Sequence, residues 1–133
     1  MGKNLIFVGA GGFGGTLLRY GLDESIPAPL NGFPAAILLI NLMGCLFLGW
    51  FMTYCLSSSR ISEQARLFIG TGFTGAFTTF STFTVDAVRF MENGQNTVAA
   101  IYVLGSVVGG LFMSGIGVWL GRKMSLKQEG AKA

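Results

Sequence analysis

Histidine is absent from this chain of 133 residues, and charged side chains make up only 11% of it. No lysine lies inside any of its long apolar segments either. The bases that usually activate a serine nucleophile are therefore missing, which disfavours an intramembrane hydrolase built on Ser81 or Ser106. We do not expect an enzyme.

Cysteine is also scarce, and its placement argues against two further kinds of site. Cys45 and Cys55 are the only cysteines, and both fall within one uncharged apolar segment. Their spacing matches no metal-ligand pattern, and a membrane interior is not the oxidising loop environment that a disulfide requires. We interpret both residues as small buried hydrophobic side chains.

Apolar sequence is what the chain has in abundance, since 51% of its residues are hydrophobic. They form four runs, at residues 5–22, 34–56, 65–91 and 97–121. Each run can cross about 30 Å of hydrocarbon, and the third is longer than one straight crossing needs. A removable signal peptide over the first run is the weaker alternative, because Lys3 alone gives a thin positive flank. The pattern predicts an all-α membrane protein with four transmembrane helices in one domain, residues 1–124, and a polar C-terminal tail, residues 125–133.

Basic residues are distributed unevenly about these four crossings. One side of the membrane would carry Lys3, Arg60, Arg66, Arg122, Lys123, Lys127 and Lys132. The other side would carry only Arg19 and Arg89. This bias favours cytoplasmic chain ends. It also accounts for the net charge of +3, so we expect anionic lipid headgroups as partners and no nucleic acid.

Polar side chains at membrane depth predict self-association. They are Asn41, Ser81, Thr82, Asp86, Tyr102 and Ser106. Four short helices enclose too little interior to give each of them a partner. Three glycine pairs have the spacing that allows close helix approach: Gly11 with Gly15, Gly105 with Gly109, and Gly117 with Gly121. These pairs serve contacts within one chain or between two copies.

The third run contains residues that disfavour a continuous helix. Gly70, Gly72 and Gly75 are followed by Thr78 and Thr79, which combine low helix propensity with hydroxyls able to satisfy freed backbone groups. We predict a break between residues 75 and 79. Carbonyl oxygens freed at the bilayer midplane suit a hard cation such as Na⁺; the alternative is a kinked helix without an ion.

Aromatic rings alternate with hydroxyls directly after this predicted break. Phe80 and Phe83 share one face of a resumed helix, and Ser81 and Thr82 turn to the neighbouring face. Phenylalanines at this spacing usually contact core or lipid, but ring edges carry positive potential and can also stabilise a partly dehydrated anion. Asn41 is the only amide in the second run; it either lines an anion path or ties two helices together.

These segments resemble the Fluc family of fluoride channels, also called CrcB, over nearly the whole chain. The resemblance rests on GAGGFGGTLLRY at residues 9–20, the Asn-Gly pair of LLINLMG at residues 38–44, GFTGAFTTFSTF at residues 72–83, and the YxxxS pattern from Tyr102 to Ser106. The segment at residues 72–83 is highly specific, and the others are supportive.

The resemblance implies an antiparallel, dual-topology homodimer in the cell membrane, with two anion pores and a structural sodium ion at the dimer interface. It assigns the sodium to the backbone carbonyls of Gly75 and Thr78. The pore residues that it implies are Asn41, Phe80, Phe83, Ser81, Thr82, Tyr102 and Ser106. The expected function is passive, fluoride-selective export that relieves fluoride toxicity.

Three features of the chain qualify this resemblance. Arg19 corresponds to a family arginine. Its side chain either attracts anions at the vestibule of a pore or extends to the lipid headgroups. The structural alternative is an ion pair between Arg19 and Asp86. Gly110 stands where some relatives have serine, which shortens the polar track of Tyr102 and Ser106. The uneven distribution of basic residues favours insertion in one orientation, whereas a dual-topology homodimer needs copies in both orientations. The alternative to a homodimer is a pair with an oppositely oriented paralogue.

Two rival transport and assembly functions are weaker. Small multidrug exporters also form antiparallel dimers of four-helix chains, but proton coupling there needs a carboxylate in the first span, and residues 5–22 contain none. A non-transporting scaffold subunit would explain the glycine pairs but not the alternation of hydroxyls with aromatic rings.

Overall fold

The structure is a computed structural model that describes residues 2–27, 32–57 and 61–130. The regular secondary structure of these residues is entirely helical. Its elements are α1 (Gly2–Ser25), α2 (Ala35–Ser57), α3 (Glu63–Arg66), a π-helical segment (Leu67–Thr74), α4 (Gly75–Phe77), α5 (Phe80–Glu92) and α6 (Asn96–Gly130).

Three of these helices are long and apolar enough to cross a membrane. They are Gly2–Ser25, Ala35–Leu56 and Asn96–Leu126, and they coincide with the first, second and fourth apolar runs. The third run instead forms the shorter elements from α3 to α5. The all-helical fold is therefore as predicted, with three continuous candidate crossings.

The third run changes helical form before its backbone becomes extended. Ser62 begins it as an N-cap, its hydroxyl accepting from the N–H of Ala65 at 3.2 Å. In the π-helical segment, the hydroxyl of Thr74 donates to the carbonyl of Ile69 at 2.8 Å. Thr78 (φ −76°, ψ 153°) and Thr79 (φ −140°, ψ 122°) are extended. The Thr79 hydroxyl then accepts from the N–H of Thr82 at 3.2 Å and so caps α5.

Helix α1 packs directly on the backbone of the π-helical segment. A Cβ added at Gly11 would collide with the carbonyl of Phe68, and one added at Gly15 would collide with the carbonyl of Phe73. A Cβ at Gly72 would likewise meet the backbone of α1. The Gly11 and Gly15 pair therefore serves a contact within the chain.

Helices α2 and α6 pack in the same close manner. A Cβ added at Gly117 would collide with the carbonyl of Leu46, and one at Gly121 would approach the carbonyl of Trp50 to 2.9 Å. This second glycine pair also acts within the chain. Gly105, by contrast, has no atom within 4 Å of an added Cβ, so its face of α6 is open in a single copy.

We predict that Gly11→Val lowers the thermal midpoint of the purified protein, because the added carbons overlap backbone that cannot move without separating α1 from the π-helical segment. Overpacking of this kind costs about 1–3 kcal/mol. Gly9→Val is the matched control, since Gly9 lies on the same helix with no atom within 4 Å. Equal midpoints for the two variants would contradict the packing argument.

An aromatic cluster holds α5 against α6. Tyr102 lies at its centre with 1% of its surface exposed. Its ring contacts Phe33 edge-on at 5.6 Å, Phe90 at 6.2 Å and Phe83 at 5.2 Å between centroids. The cluster therefore fixes the orientation of Phe83 relative to α6.

Helix α6 continues through Gly130, so residues 125–130 of the predicted polar tail are helical. Of the basic residues counted for topology, Arg60 and Lys132 lie outside the described residues. Arg66 is partly buried and donates from Nη2 to the carbonyl of Cys55 at 2.8 Å, at the end of α2. This arginine therefore also stabilises a helix C-terminus.

Candidate ion pathway

A cavity of about 320 Å³ opens between α2, the extended residues and the start of α5, and α6. Its lining residues are Asn41, Gly44, Cys45, Leu48, Thr78, Thr79, Phe80, Phe83, Ser106 and Val107. Four of the seven side chains predicted to line a pore meet here: Asn41, Phe80, Phe83 and Ser106. The wall is mostly apolar, with few polar groups directed into it.

Asn41 makes two reciprocal hydrogen bonds with the backbone of Thr79. Its Nδ2 donates to the Thr79 carbonyl at 3.0 Å, and its Oδ1 accepts from the Thr79 N–H at 2.8 Å. The Asn41 amide thus pairs with both backbone polar groups of an extended residue, where an unpaired N–H would be costly. Of the two roles considered for Asn41, tying two helices together is therefore observed.

The Asn41 side chain is also placed to line an ion path. An amide nitrogen carries two hydrogens, and Thr79 takes one of them. Within the described ranges, the second N–H of Asn41 has no protein acceptor. Since Asn41 also borders the cavity, this hydrogen is a donor held in fixed orientation beside the open space.

Gly44 lets α2 pass close to the extended residues. It is buried, and a Cβ added there would collide with the Cγ2 methyl of Thr78. A larger residue at 44 would require either the Thr78 side chain or α2 to shift, at the place where Asn41 bonds Thr79. The Asn-Gly pair therefore acts as one unit, with glycine permitting the approach that the amide uses.

The two phenylalanines form adjoining parts of the cavity wall. Their ring centroids lie 5.7 Å apart at an angle of 42°. Phe83 is held from behind by Tyr102, whereas Phe80 is 80% exposed in a single copy. Such exposure of a large ring is expensive unless lipid or another protein surface covers it.

The remaining predicted hydroxyls lie beside the cavity or behind its wall. Thr79 Oγ1 lies 3.2 Å from the Ser81 hydroxyl and 3.1 Å from the Thr82 hydroxyl. Thr82 borders a different cavity. Tyr102 lies behind Phe83, and its buried hydroxyl has no partner among the described residues. Ser106 does reach the wall and donates to the Tyr102 carbonyl at 2.7 Å.

Arg19 is joined to the third run rather than to Asp86. Its Nε donates to the carbonyl of Ala76 at 3.3 Å. Asp86 borders a polar cavity with Asp23 and Arg89. The proposed Arg19–Asp86 pair is therefore not the arrangement seen, and Arg19 satisfies a carbonyl at the end of α4.

The carbonyls of Gly75 and Thr78 sit where the helical ladder ends. In a continuous helix the Thr79 N–H would bond the Gly75 carbonyl, but it is donated to Asn41 instead. Gly75 is exposed, with no atom within 4 Å of an added Cβ. The described residues contain no group of three His, Cys, Asp or Glu side chains suited to a metal. Backbone carbonyls and threonine hydroxyls are thus the hard oxygen ligands present at this place.

Sequence reasoning missed the parts that Thr79 and Cys45 play. The sequence places Thr79 only within the predicted break at residues 75–79, whereas its peptide is the partner of Asn41. The spacing of a threonine N-cap to Thr82 is the signal that could have located it. Cys55 is buried, as predicted, with 2% exposure. Cys45 is only half-buried and borders the cavity, so interpreting both cysteines as buried side chains was wrong for Cys45.

Comparison with known proteins decides the family. The family described as "CrcB-like protein, Camphor Resistance (CrcB)" matches residues 6–118. The chain belongs to the CrcB family. This match contains the Asn41 amide, the extended residues, both cavity phenylalanines and Ser106.

Curated relatives match the CrcB chain over most of its length. "Fluoride-specific ion channel FluC" of Oceanobacillus iheyensis is 42% identical over 118 residues, covering 89% of this chain and 91% of the relative. "Fluoride-specific ion channel FluC 1" of Bacillus cereus is 45% identical over 117 residues, covering 87% and 81%. "Fluoride-specific ion channel FluC" of Chlorobaculum tepidum is 42% identical over 109 residues, covering 82% and 86%.

These findings confirm the family resemblance and the membrane location predicted from the sequence. Family membership and the several long apolar helices make this CrcB protein a multi-pass protein of the bacterial cell membrane.

Proposed function

We propose that this protein is a fluoride-selective channel that lets F⁻ leave the cell passively. The cavity bordered by Asn41 and the two phenylalanines carries the proposal. Relatives of similar length are named fluoride-specific ion channels rather than enzymes. The wall supplies one fixed amide donor and aromatic rings, which is a sparse set of groups suited to conduction of a small anion.

We attribute the selectivity to the small number of groups in the cavity wall that can bind an anion. An ion must enter and also leave, so a conducting site binds weakly at each step. Ring edges of Phe80 and Phe83 attract a partly dehydrated anion without the tight hold of a fixed cation. A strongly accepting, small halide gains most from the Asn41 N–H, whereas a larger halide gains less and needs more room.

Passive export is sufficient for a physiological role. Hydrogen fluoride crosses membranes as a neutral weak acid and releases F⁻ in a less acidic cytoplasm, where the anion is trapped. A pathway for F⁻ alone relieves that trap without coupling to another ion, and it does not dissipate gradients of other anions.

Liposomes containing the purified protein should release F⁻ on addition of a potassium ionophore, while Cl⁻ stays at the leak rate of protein-free liposomes. A fluoride electrode and a chloride electrode on matched samples measure both ions. Comparable release of the two would remove selectivity, and no release from well-folded protein would favour the scaffold function instead.

We further propose that the working unit is an antiparallel homodimer with two pores, in which the third run crosses as an interrupted helix. The outward exposure of Phe80 and the open faces at Gly75 and Gly105 support this arrangement. In one copy the cavity wall is incomplete beside Phe80. A second copy packed there covers the ring and closes the path.

The same dimer gives a sodium ion a set of ligands. The carbonyls of Gly75 and Thr78 fit Na⁺ because both lie outside the helical ladder, and Gly75 leaves its surroundings open. One copy offers only these two backbone oxygens, and two copies related by symmetry double the number. The ion would then be structural, held between subunits and not transported.

Removal of sodium should weaken the dimer. With Na⁺ replaced by N-methylglucamine, we expect a lower thermal midpoint and a smaller dimer fraction by light scattering; saturation at a hundred times the dissociation constant is worth about 2.7 kcal/mol. Adding Na⁺ back should restore both the thermal midpoint and the dimer fraction. Adding N-methylglucamine to the same ionic strength should restore neither. Identical midpoints in the two salts would contradict a sodium site.

A further inference from the structure

Two small residues meet where α2 and α6 close the cavity. Cys45 lies on α2 one turn beyond Asn41 and borders the cavity. Gly110 lies on α6 one turn beyond Ser106. A Cβ added at Gly110 would lie 3.4 Å from the Sγ of Cys45, so the thiol already fills the space in front of this glycine.

This contact differs from the contacts with helix backbone that Gly49, Gly117 and Gly121 make between the two helices. At Gly117, an added Cβ would collide with the backbone of α2, so that glycine is required for packing as such. At Gly110, an added Cβ would touch only the outer atom of one side chain at ordinary contact distance. The backbones of α2 and α6 can therefore keep their separation while side chains at 45 and 110 change.

From this geometry we propose that Cys45 and Gly110 together set the width of the ion path between α2 and α6. Cys45 is the selectivity-determining wall residue, and Gly110 is the recess that receives its sulfur. The inference rests on the proposed channel function, because it assigns the width of that channel to a particular pair. It concerns the size of the thiol and not its reactivity.

The thiol of Cys45 affects a passing ion through its size because it offers little hydrogen bonding. A thiol is a weak hydrogen-bond donor and behaves as a small apolar group, so it does not compete with the Asn41 N–H for an anion. Its effect on a passing ion is therefore steric. A smaller side chain at 45 leaves room for a hydrated or larger anion, and a larger one narrows the path beside Asn41.

Gly110 controls the same width from the opposite helix. A branched side chain at 110 would occupy the recess and press the sulfur towards the cavity. Combining that change with a smaller residue at 45 returns the space to the path. The pair should thus show coupling of the kind seen for residues in contact, where the effect of the double change differs from the combined single effects.

The test is a double-mutant cycle of Cys45→Ala and Gly110→Val in proteoliposomes, read as F⁻ and Cl⁻ release. We expect Cys45→Ala to raise Cl⁻ release relative to F⁻, Gly110→Val to lower F⁻ release by roughly tenfold, and the double variant to recover flux and selectivity towards the unmodified protein. Single effects that combine without coupling would overturn the proposal.

A size series at position 45 keeps the proposal testable if Gly110→Val fails to fold. Cys45→Val and Cys45→Leu should lower F⁻ release in order of increasing side-chain volume, whereas Cys45→Ser, whose side chain is slightly smaller than that of cysteine, should raise the Cl⁻ to F⁻ ratio as Cys45→Ala does. The matched series at Cys55, which is buried away from the cavity with 2% exposure, should leave the Cl⁻ to F⁻ ratio unchanged.

The two series separate this inference from the channel function itself. If the unmodified protein conducts F⁻ selectively but the series at 45 leaves the ratio as flat as the series at 55, the channel stands and the width assignment fails. If the unmodified protein conducts nothing, the channel proposal itself has failed, and the width assignment fails with it.

Discussion

Asn41→Asp should abolish most fluoride release from proteoliposomes. Aspartate has the same shape as asparagine, and its carboxylate still accepts from the Thr79 N–H, which Asn41 bonds at 2.8 Å. It cannot donate to the Thr79 carbonyl, so two acceptors face each other at the other half of the pair. The ionised side chain also places negative charge beside a path for an anion.

The expected decrease in fluoride release combines the loss of the hydrogen bond to the Thr79 carbonyl with the negative charge placed beside the path. An unsatisfied group in a buried site costs about 1–3 kcal/mol, and about 1.4 kcal/mol corresponds to a tenfold change in rate, so roughly a hundredfold decrease is expected. Dimer content and thermal midpoint should be measured on the same sample, because loss of the Thr79 bond also loosens the extended segment.

Asn96→Asp is the matched control for charge. Asn96 is exposed at the start of α6, where an acidic side chain is favourable to the helix dipole. The Asn96→Asp substitution introduces the same charge as Asn41→Asp at a residue that does not border the cavity. Fluoride release should therefore be retained. Undiminished release from both variants would show that the Asn41 side chain does not contribute to the conducting path.

Much of the fold could be predicted from apolar length alone. The runs at residues 5–22, 34–56 and 97–121 each contain enough apolar residues for a crossing, and each became part of a long helix. The first and last helices extend beyond the predicted runs at both ends because polar residues at helix ends continue the backbone hydrogen bonding without needing burial. Helix α1, for example, extends through Asp23 and Glu24 to Ser25.

The pairing of the site residues could not be predicted in the same way. That Asn41 needed a partner followed from the cost of burying an amide, but its partner is a backbone group 38 positions away. This contact depends on Gly44 allowing α2 to approach Thr78, which is a tertiary effect. The acceptor of Arg19 is likewise a carbonyl released by the end of α4, and nothing in the local sequence distinguishes it from Asp86.

Cys45 illustrates the limit of reasoning from residue type. A cysteine in an uncharged membrane helix is usually a small buried side chain, and Cys55 behaves so. The position of Cys45 is decided by helix phase: it lies one turn from Asn41, and the face that carries the amide to Thr79 also carries the thiol to the cavity. Knowing that Asn41 pairs with the third run would have placed both residues.

Phe80→Ile should reduce fluoride release by about tenfold while the dimer remains intact. Isoleucine preserves apolar character and fits a membrane helix, but it has no ring edge to present to an anion. Removing one aromatic contact is worth about 0.5–1.5 kcal/mol, which spans changes of severalfold to tenfold in rate. Phe80 and Phe83 lie 5.7 Å apart, so loss of one ring also frees the other to reorient and enlarges the effect.

Phe13→Ile is the control that isolates the ring from general hydrophobic exposure. Phe13 on α1 is 69% exposed and Phe80 is 80% exposed, but Phe13 does not border the cavity. If exposed rings merely contact lipid, the two variants should behave alike and both should conduct as well as the unmodified protein. If Phe80 belongs to the path, only its replacement slows F⁻, and light scattering shows the same dimer for both. A normal rate for Phe80→Ile in a well-folded dimer would therefore remove this ring from the conducting wall and leave Asn41 as the principal contact for the ion.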